Sequence, residues 1–215
     1  DGAMRYLERN GVGFRSDPVV VPIVPAAVIF DLAVGRSDVR PDAAAGEIAC
    51  ENAMFYPVEQ GNVGAGTGAT IGKLLGGEFA AKGGLGSASI CLQGGIIVSA
   101  LVVVNALGDV YNHKTGKIIA GLNEGGRFLS TMEILCGRAG APEAAPQAGG
   151  NTTIGVIATN AALTREEANR LATLGHDGLA LAIRPVHTQF DGDTLFGAST
   201  GELPLEDKSQ LLAVF

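Results

Sequence analysis

The run from Ser87 to Val110 constrains the fold of this chain more than any other stretch. It is apolar enough to suggest a membrane span. Gln93, Gly94 and Gly95 interrupt it, however, and β-branched residues dominate the rest. Two buried strands over 87–92 and 96–105, joined by a turn, fit both features. The 215 residues suffice for one substantial α/β core, read as a single domain over 1–215.

Other segments can be placed around that pair. Residues 3–9 read as the end of a helix stopped by Asn10-Gly11, with Met4, Tyr6 and Leu7 free to pack. Val19 to Phe30 reads as a buried strand region, confined to an edge or bulge by Pro22 and Pro25. Pro41 precedes a short alanine-rich helix over 43–53. The glycine-rich stretch Gly61 to Lys73 predicts a tight, close-packed backbone. Gly108-Asp109 signals a turn, Lys117 to Ala120 a short strand, and Arg127 to Cys136 a helix. Residues 137–151 read as a flexible linker of Gly, Ala, Pro, Gln and Glu, and a strand follows over 152–159. Thr164-Arg165-Glu166-Glu167 predicts a capping box opening a helix that runs to about Ile183 and stops at Pro185. Asp191-Gly192-Asp193 reads as a turn feeding a strand from Thr194. Both ends look cut, so residues are expected to be missing there.

Charge and cysteine usage narrow the function. The net charge of -7, with no Lys/Arg cluster, argues against a nucleic-acid partner. Cys50, Cys91 and Cys136 are odd in number and widely spaced. They predict buried thiols in a reducing, cytoplasmic compartment, not a disulfide framework. The opening residues are not expected to form a signal peptide. His113, His176 and His187 have no zinc-site spacing and no nearby Cys, so no metal is expected. His176 reads as a helix-end surface residue and His187 as a loop residue.

The candidate chemistry centres on Gly149-Gly150-Asn151-Thr152-Thr153-Ile154, where the linker meets the strand. Composition alone favours an ordinary junction. Cleavage between Asn151 and Thr152 would instead leave Thr152 with its nucleophile and a base, the free α-amine, on one residue. Lys73 closes the glycine-rich loop. Leu74 stands where a phosphate loop needs a hydroxyl, so a nucleotide site is poorly supported, whereas a lysine beside a nucleophile can stabilise an anion. Asn105 ends an apolar strand and is either a turn former or an oxyanion donor. Asp191 and Asp193 lack the rest of a calcium loop; they form an ordinary turn or orient Thr152.

Taken together, four segments carry a family resemblance. They are Val24-Pro25-Ala26-Ala27-Val28-Ile29-Phe30-Asp31, Gly61 to Lys73, Gly150-Asn151-Thr152-Thr153-Ile154, and Pro185 to Thr194. The chain resembles the self-cleaving amidohydrolases of the peptidase S58 type. These include L-aminopeptidase/D-amidase–esterases, β-peptidyl aminopeptidases and the nylon-oligomer endo-hydrolases, the last being the more similar branch through its Asn-Thr-Thr. The resemblance implies a four-layer α/β/β/α sandwich, related to ornithine acetyltransferase and connected differently from classical N-terminal-nucleophile hydrolases. It also implies autocleavage between Asn151 and Thr152 into associated α (to residue 151) and β (from 152) fragments, tetramers or larger assemblies of αβ units, and no cofactor.

Carried over residue by residue, Thr152 is the nucleophile and Lys73 supports proton transfer or charge balance. Asn105 serves the oxyanion, while Asp191 and Asp193 orient the nucleophile and assist processing. Phe30 stands where family aminopeptidases place a tyrosine, which removes a phenol donor. The implied activity is hydrolysis of amino-terminal peptides or linear amide oligomers. The alternatives are a non-catalytic small-molecule binding module and an acyltransferase using the same threonine.

Overall fold

A computed structural model describes residues 1–55, 57–137, 150–205, 208 and 211. Most of the linker expected over 137–151 lies outside the described residues. The chain divides into two compact units, one of residues 1–27 and 35–58, the other of residues 28–34 and 59–215.

The first unit is built from helices α1 (Gly2–Arg9) and α2 (Ala43–Glu51) and the hairpin β1 (Phe14–Ser16) with β2 (Val19–Val21). The helices touch backbone to backbone, since a Cβ on Gly2 would lie 2.2 Å from the Ala43 carbonyl oxygen. Arg9 clamps the pair through Glu47 and, at 2.8 Å, Glu51. Asp42 caps α2 by accepting the Ala45 amide at 2.8 Å. The buried strand expected over 19–30 is not formed. Only Val19–Val21 pairs, and Val28 is 83% exposed. Pro22 and Pro25 supply no N–H, so the ladder ends where they begin.

The second unit contains β3 (Thr70–Ile71), β4 (Ala81–Lys82), β5 (Gly84–Cys91), β6 (Ile97–Asn105), β7 (Asp109–Tyr111), β8 (Ile118–Ala120), β9 (Asn123–Glu124), β10 (Arg127–Phe128), α3 (Thr131–Leu135), β11 (Thr152–Ala161), α4 (Arg165–Ala182), β12 (Ile183–Arg184) and β13 (Thr194–Leu203). This is the α/β architecture expected, with helix laid on sheet. The central sheet has the order β13-β11-β6-β5, and a smaller one runs β12-β7-β8. β11 is antiparallel to β6 and parallel to β13, the latter pair being joined through α4 as a parallel crossover requires.

The apolar run thus does form two strands. The glycines between them turn the chain, Gly94 and Gly95 at φ +77° and +78°. They are less buried than expected, because β5 is an edge strand whose second half is exposed. On β11, Thr153, Gly155, Ile157, Thr159 and Ala161 are all buried in alternation, the period of a half-covered strand. The helix α4 covers that face. Its Gly175 sits so close that a Cβ would lie 2.8 Å from Ile157, and Leu171 and Leu179 join Ile157, Leu195 and Ile183 in the main core. On the other face, Leu101 and Ile97 are exposed.

Two local expectations change. The helix predicted over 127–136 is a strand followed by one short helix. Gly125 and Gly126, both at positive φ, turn β9 back into β10, and Ser130 then caps α3 by accepting the Glu133 amide at 3.2 Å. Asp109, expected within a turn, opens β7 instead. It is fully buried and accepts from Leu122 N at 2.8 Å, Thr131 N at 2.7 Å and Thr131 Oγ1 at 2.9 Å. Burial pushes its carboxyl up, against those three bonds. A second core of Leu74, Leu75, Leu107, Leu122 and Ile134 packs with Phe190. The thiols are free but not buried: Cys50 is half-buried, while Cys91 and Cys136 are exposed.

The capping box at α4 is complete, with Thr164 Oγ1 accepting the Glu167 amide at 3.2 Å and Glu167 accepting the Thr164 amide at 2.8 Å. Thr164→Ala is expected to lower the unfolding free energy by about 1 kcal/mol, measured by urea denaturation.

Candidate active site

Strand pairing brings the candidate residues together. Thr152 is the register partner of Asn105 on β6. On its other side, the parallel pairing of Ile154 with Thr194 extends back into a bridge between Asn151 and Asp191. The turn Asp191-Gly192-Asp193 therefore lies alongside Asn151-Thr152-Thr153. The glycine-rich segment docks across the end of β6, with Lys73 N donating to Leu107 O and Thr70 N to Asn105 Oδ1. Gly72, at φ +74°, makes this approach possible, since a Cβ there would lie 2.0 Å from the Leu122 nitrogen.

The peptide bond Asn151–Thr152 is buried, with Asn151 3% and Thr152 7% exposed. Thr152 Oγ1 donates to its neighbour's carbonyl, Asn151 O, at 2.6 Å. The same oxygen accepts the Gly192 amide at 2.9 Å. Asn151 Nδ2 donates to Phe190 O at 3.3 Å.

Lys73 Nζ donates three bonds: to Asn105 O at 3.0 Å, Asn105 Oδ1 at 2.8 Å and Gly150 O at 3.0 Å. Burial lowers its pKa to about 8, outweighing the opposing pull of Asp191 and Asp31. Asn105 is fully buried, and its Nδ2 donates to Phe30 O at 3.2 Å and Gly150 O at 3.5 Å. Phe30 thus contributes its carbonyl to the site. In the uncleaved chain, the Lys73 and Asn105 donors point at the Gly150 carbonyl, and the donors on Asn151 O are the Gly192 amide and the Thr152 hydroxyl.

The two carboxylates hold backbone. Asp191 accepts from Leu107 N at 3.3 Å, Thr188 N at 3.1 Å and Thr188 Oγ1 at 2.6 Å. Asp193 Oδ1 accepts the Thr153 amide at 2.7 Å. Its Oδ2 meets His187 Nδ1 at 2.8 Å and the His187 amide at 3.2 Å. His187 in turn meets His176 Nδ1 through Nε2 at 3.2 Å.

Three parts of this arrangement are absent from a reading of the sequence: the Gly192 amide, the Gly150 carbonyl and the two histidines. His176 lies within α4 and is partly buried, not at a helix-end surface. Backbone groups leave no trace in residue identity. The histidines sit 11 residues apart with no ligand spacing, so the sequence holds no cue to their contact. Among the described residues, no three His, Cys, Asp or Glu side chains are placed to hold a metal ion. A groove of about 710 Å³ lined by Gly84, Gly86, Val102, Val104 and Ala182 contains none of the candidate residues.

The family model described as peptidase family S58 matches residues 1–214. An uncharacterized aminopeptidase of Mycobacterium bovis is 46% identical over 94% of this chain and 57% of its own length. One of Mycobacterium leprae is 43% identical over 94% of this chain and 56% of its own. A 6-aminohexanoate-oligomer endohydrolase of Paenarthrobacter ureafaciens is 32% identical over 95% and 56%. The chain thus spans a little over half the length of these relatives.

The lowered pKa of Lys73 makes stability depend on pH. Its ammonium is held at a cost to stability below about pH 8, and that cost is relieved as pH rises toward the ordinary 10.5. A titration of the Lys73 amine by NMR is expected to have its midpoint near 8. Asp191→Asn, which removes an opposing negative charge, is expected to move it lower still.

Proposed function

Because the chain belongs to peptidase family S58, we propose that it is a self-activating N-terminal-nucleophile hydrolase of amide and peptide bonds. Autocleavage between Asn151 and Thr152 makes Thr152 its nucleophile. One observation carries the reading: the Thr152 hydroxyl lies 2.6 Å from Asn151 O, and that oxygen already accepts the Gly192 amide. Nucleophile, scissile carbonyl and an oxyanion donor are then in one buried place.

In the precursor, Thr152 Oγ attacks the Asn151 carbonyl carbon through a five-membered ring, and the Gly192 N–H stabilises the negative oxygen. The hydroxyl gives up its proton as it attacks, the carbon–nitrogen bond breaks, the Thr152 nitrogen takes up that proton, and Asn151 is left as an ester on Oγ. Lys73, with a pKa of about 8, can hold and return that proton near neutral pH. Water hydrolyses the ester, giving the Asn151 carboxylate and a free Thr152 amine.

In the mature protein that amine accepts the hydroxyl proton, and Oγ attacks a substrate amide. The leaving amine takes the proton, and a second water releases the acid. Asn105 Nδ2 and Lys73, relieved of the Gly150 carbonyl, are available to the substrate's oxygen. Asp191 and Asp193 keep the turn in register with Thr152.

The fragments stay together because β6 lies before the cut and β11 after it. Their pairing runs from Thr152–Asn105 to Thr159–Val98. We extend the reading to amino-terminal peptides or linear amide oligomers as substrates, to an assembly of αβ units as a homotetramer, and to a cytoplasmic setting. Among the described residues, no helix is long and apolar enough to cross a membrane.

Denaturing mass spectrometry of the wild-type protein is expected to give two fragments meeting at Asn151/Thr152. Thr152→Ala is expected to remain one chain and to hydrolyse no amide. Two fragments from that variant, or a wild type that stays whole, would overturn the proposal.

A further inference from the structure

His187 lies outside the residues that the proposed chemistry uses, yet it is held in an unusual way. It is the one non-glycine residue with positive φ among the described residues, at +55°. That conformation is disfavoured for a side chain with a Cβ, so surrounding contacts must fix it. Two of these converge on one oxygen: the His187 amide and Nδ1 both reach Asp193 Oδ2, at 3.2 and 2.8 Å. The other oxygen of that carboxylate takes the Thr153 amide, next to the proposed nucleophile.

His176 completes the chain from α4. Its ring meets His187 edge-on, with centroids 4.8 Å apart, and Nδ1 lies 3.2 Å from His187 Nε2. Burial, and after it the neighbouring His187, lowers the His176 pKa, so the ring suits a neutral donor. A proton on His176 Nδ1 makes His187 Nε2 an acceptor and leaves the His187 proton on Nδ1, facing the carboxylate. The charged and titratable groups that act on the histidine pair are Asp193 on the turn and Asp177 on α4. The contacts are sequential, His176 to His187 to Asp193, and among the described residues no three His, Cys, Asp or Glu side chains are placed to hold a metal ion, so the arrangement is that of a relay.

We propose that His187 is a positioning residue, which with His176 behind it fixes the Asp193 carboxylate against the Thr153 amide and so holds Thr152 in place for self-cleavage and hydrolysis. This rests on the functional reading above. In the neutral relay Asp193 keeps its full charge for the Thr153 N–H. A proton added to the pair sets two N–H donors face to face across the 3.2 Å contact between the rings and breaks the relay that holds Asp193, so the reaction slows in acid.

Two variants separate the side chain from the backbone strain. His187→Gly and His187→Asn both tolerate positive φ. Only Asn offers a side-chain N–H in the place of Nδ1. Newly synthesised chains are to be followed by denaturing gel in cell-free translation mixtures adjusted from pH 5 to 8. We expect His187→Gly to cleave at least about tenfold more slowly than wild type. His187→Asn is expected within about threefold of wild type at pH 8, with a shallower fall in rate than wild type between pH 7 and 5, the part of the fall that belongs to Lys73 remaining. A second readout needs no cleavage: in the Thr152→Ala background, hydrogen exchange at the Thr153 amide should quicken with His187→Gly and be restored with His187→Asn.

Equal cleavage rates and pH profiles in the three proteins, or a His187→Asn as slow as His187→Gly, would overturn the inference. If His187→Gly fails to fold, His176→Ala takes its place and must weaken the pH dependence. A wild type that never cleaves sinks the functional reading alone, and the exchange measurement then decides the role of His187.

Discussion

The parallel pairing of β11 with β13 in one register is the constraint on which the site depends. Side chains alternate along a strand, so a slip of one residue would turn Thr152 and Thr153 to opposite faces. In the observed register, Asn151 bridges Asp191, and the Thr153 amide reaches Asp193 at 2.7 Å. The Gly192 amide then falls on Asn151 O without further adjustment. The helix α4 enforces that register. It connects the two strands and buries Leu171 and Leu179 against Ile157 and Leu195, which belong to the same faces that set the alignment. Packing energy on one side of the sheet is thereby converted into geometry at its end.

The second dependence is electrostatic. Lys73 is drawn into a place where its ammonium has lost water and gained three oxygen acceptors. Two nearby carboxylates, Asp191 and Asp31, favour the charge, yet burial outweighs them. The result is an amine whose charge is finely balanced near neutrality, the condition for a proton carrier. Asn105 binds this lysine through Oδ1 and uses Nδ2 on Gly150 and Phe30, so one fully buried amide ties three segments far apart in the chain. Burying such a group without partners would be costly, which leaves little freedom in how these segments meet.

Much of the secondary structure was legible because its signals are local. The capping box at Thr164 and Glu167, the paired strands around Gln93-Gly94-Gly95, and the stop at Pro185 all follow from a few adjacent residues. Where a local signal met a competing one, the reading failed. Apolar content suggested a strand through residue 30, but prolines end the ladder at Val21. Helical composition after Arg127 lost to the turn at Gly125-Gly126. Asp109 looked like a turn residue because its three donors come from Leu122 and Thr131, which a sequence window does not contain.

By itself, the sequence determined the α/β character, the placement of Thr152 at the head of an apolar strand, and the short set of polar residues able to serve it. Its glycines and prolines also marked where backbone would turn or stop. Only tertiary structure decided which oxygen each donor would meet: Gly192 on Asn151, Lys73 and Asn105 on Gly150, His187 on Asp193. The reason is range. Helix caps and turns close over three or four residues, whereas Lys73 meets Gly150 across 77 positions and Asp193 meets Thr153 across 40. Contacts at that distance are set by strand register and helix packing, and these exist only once the chain has folded.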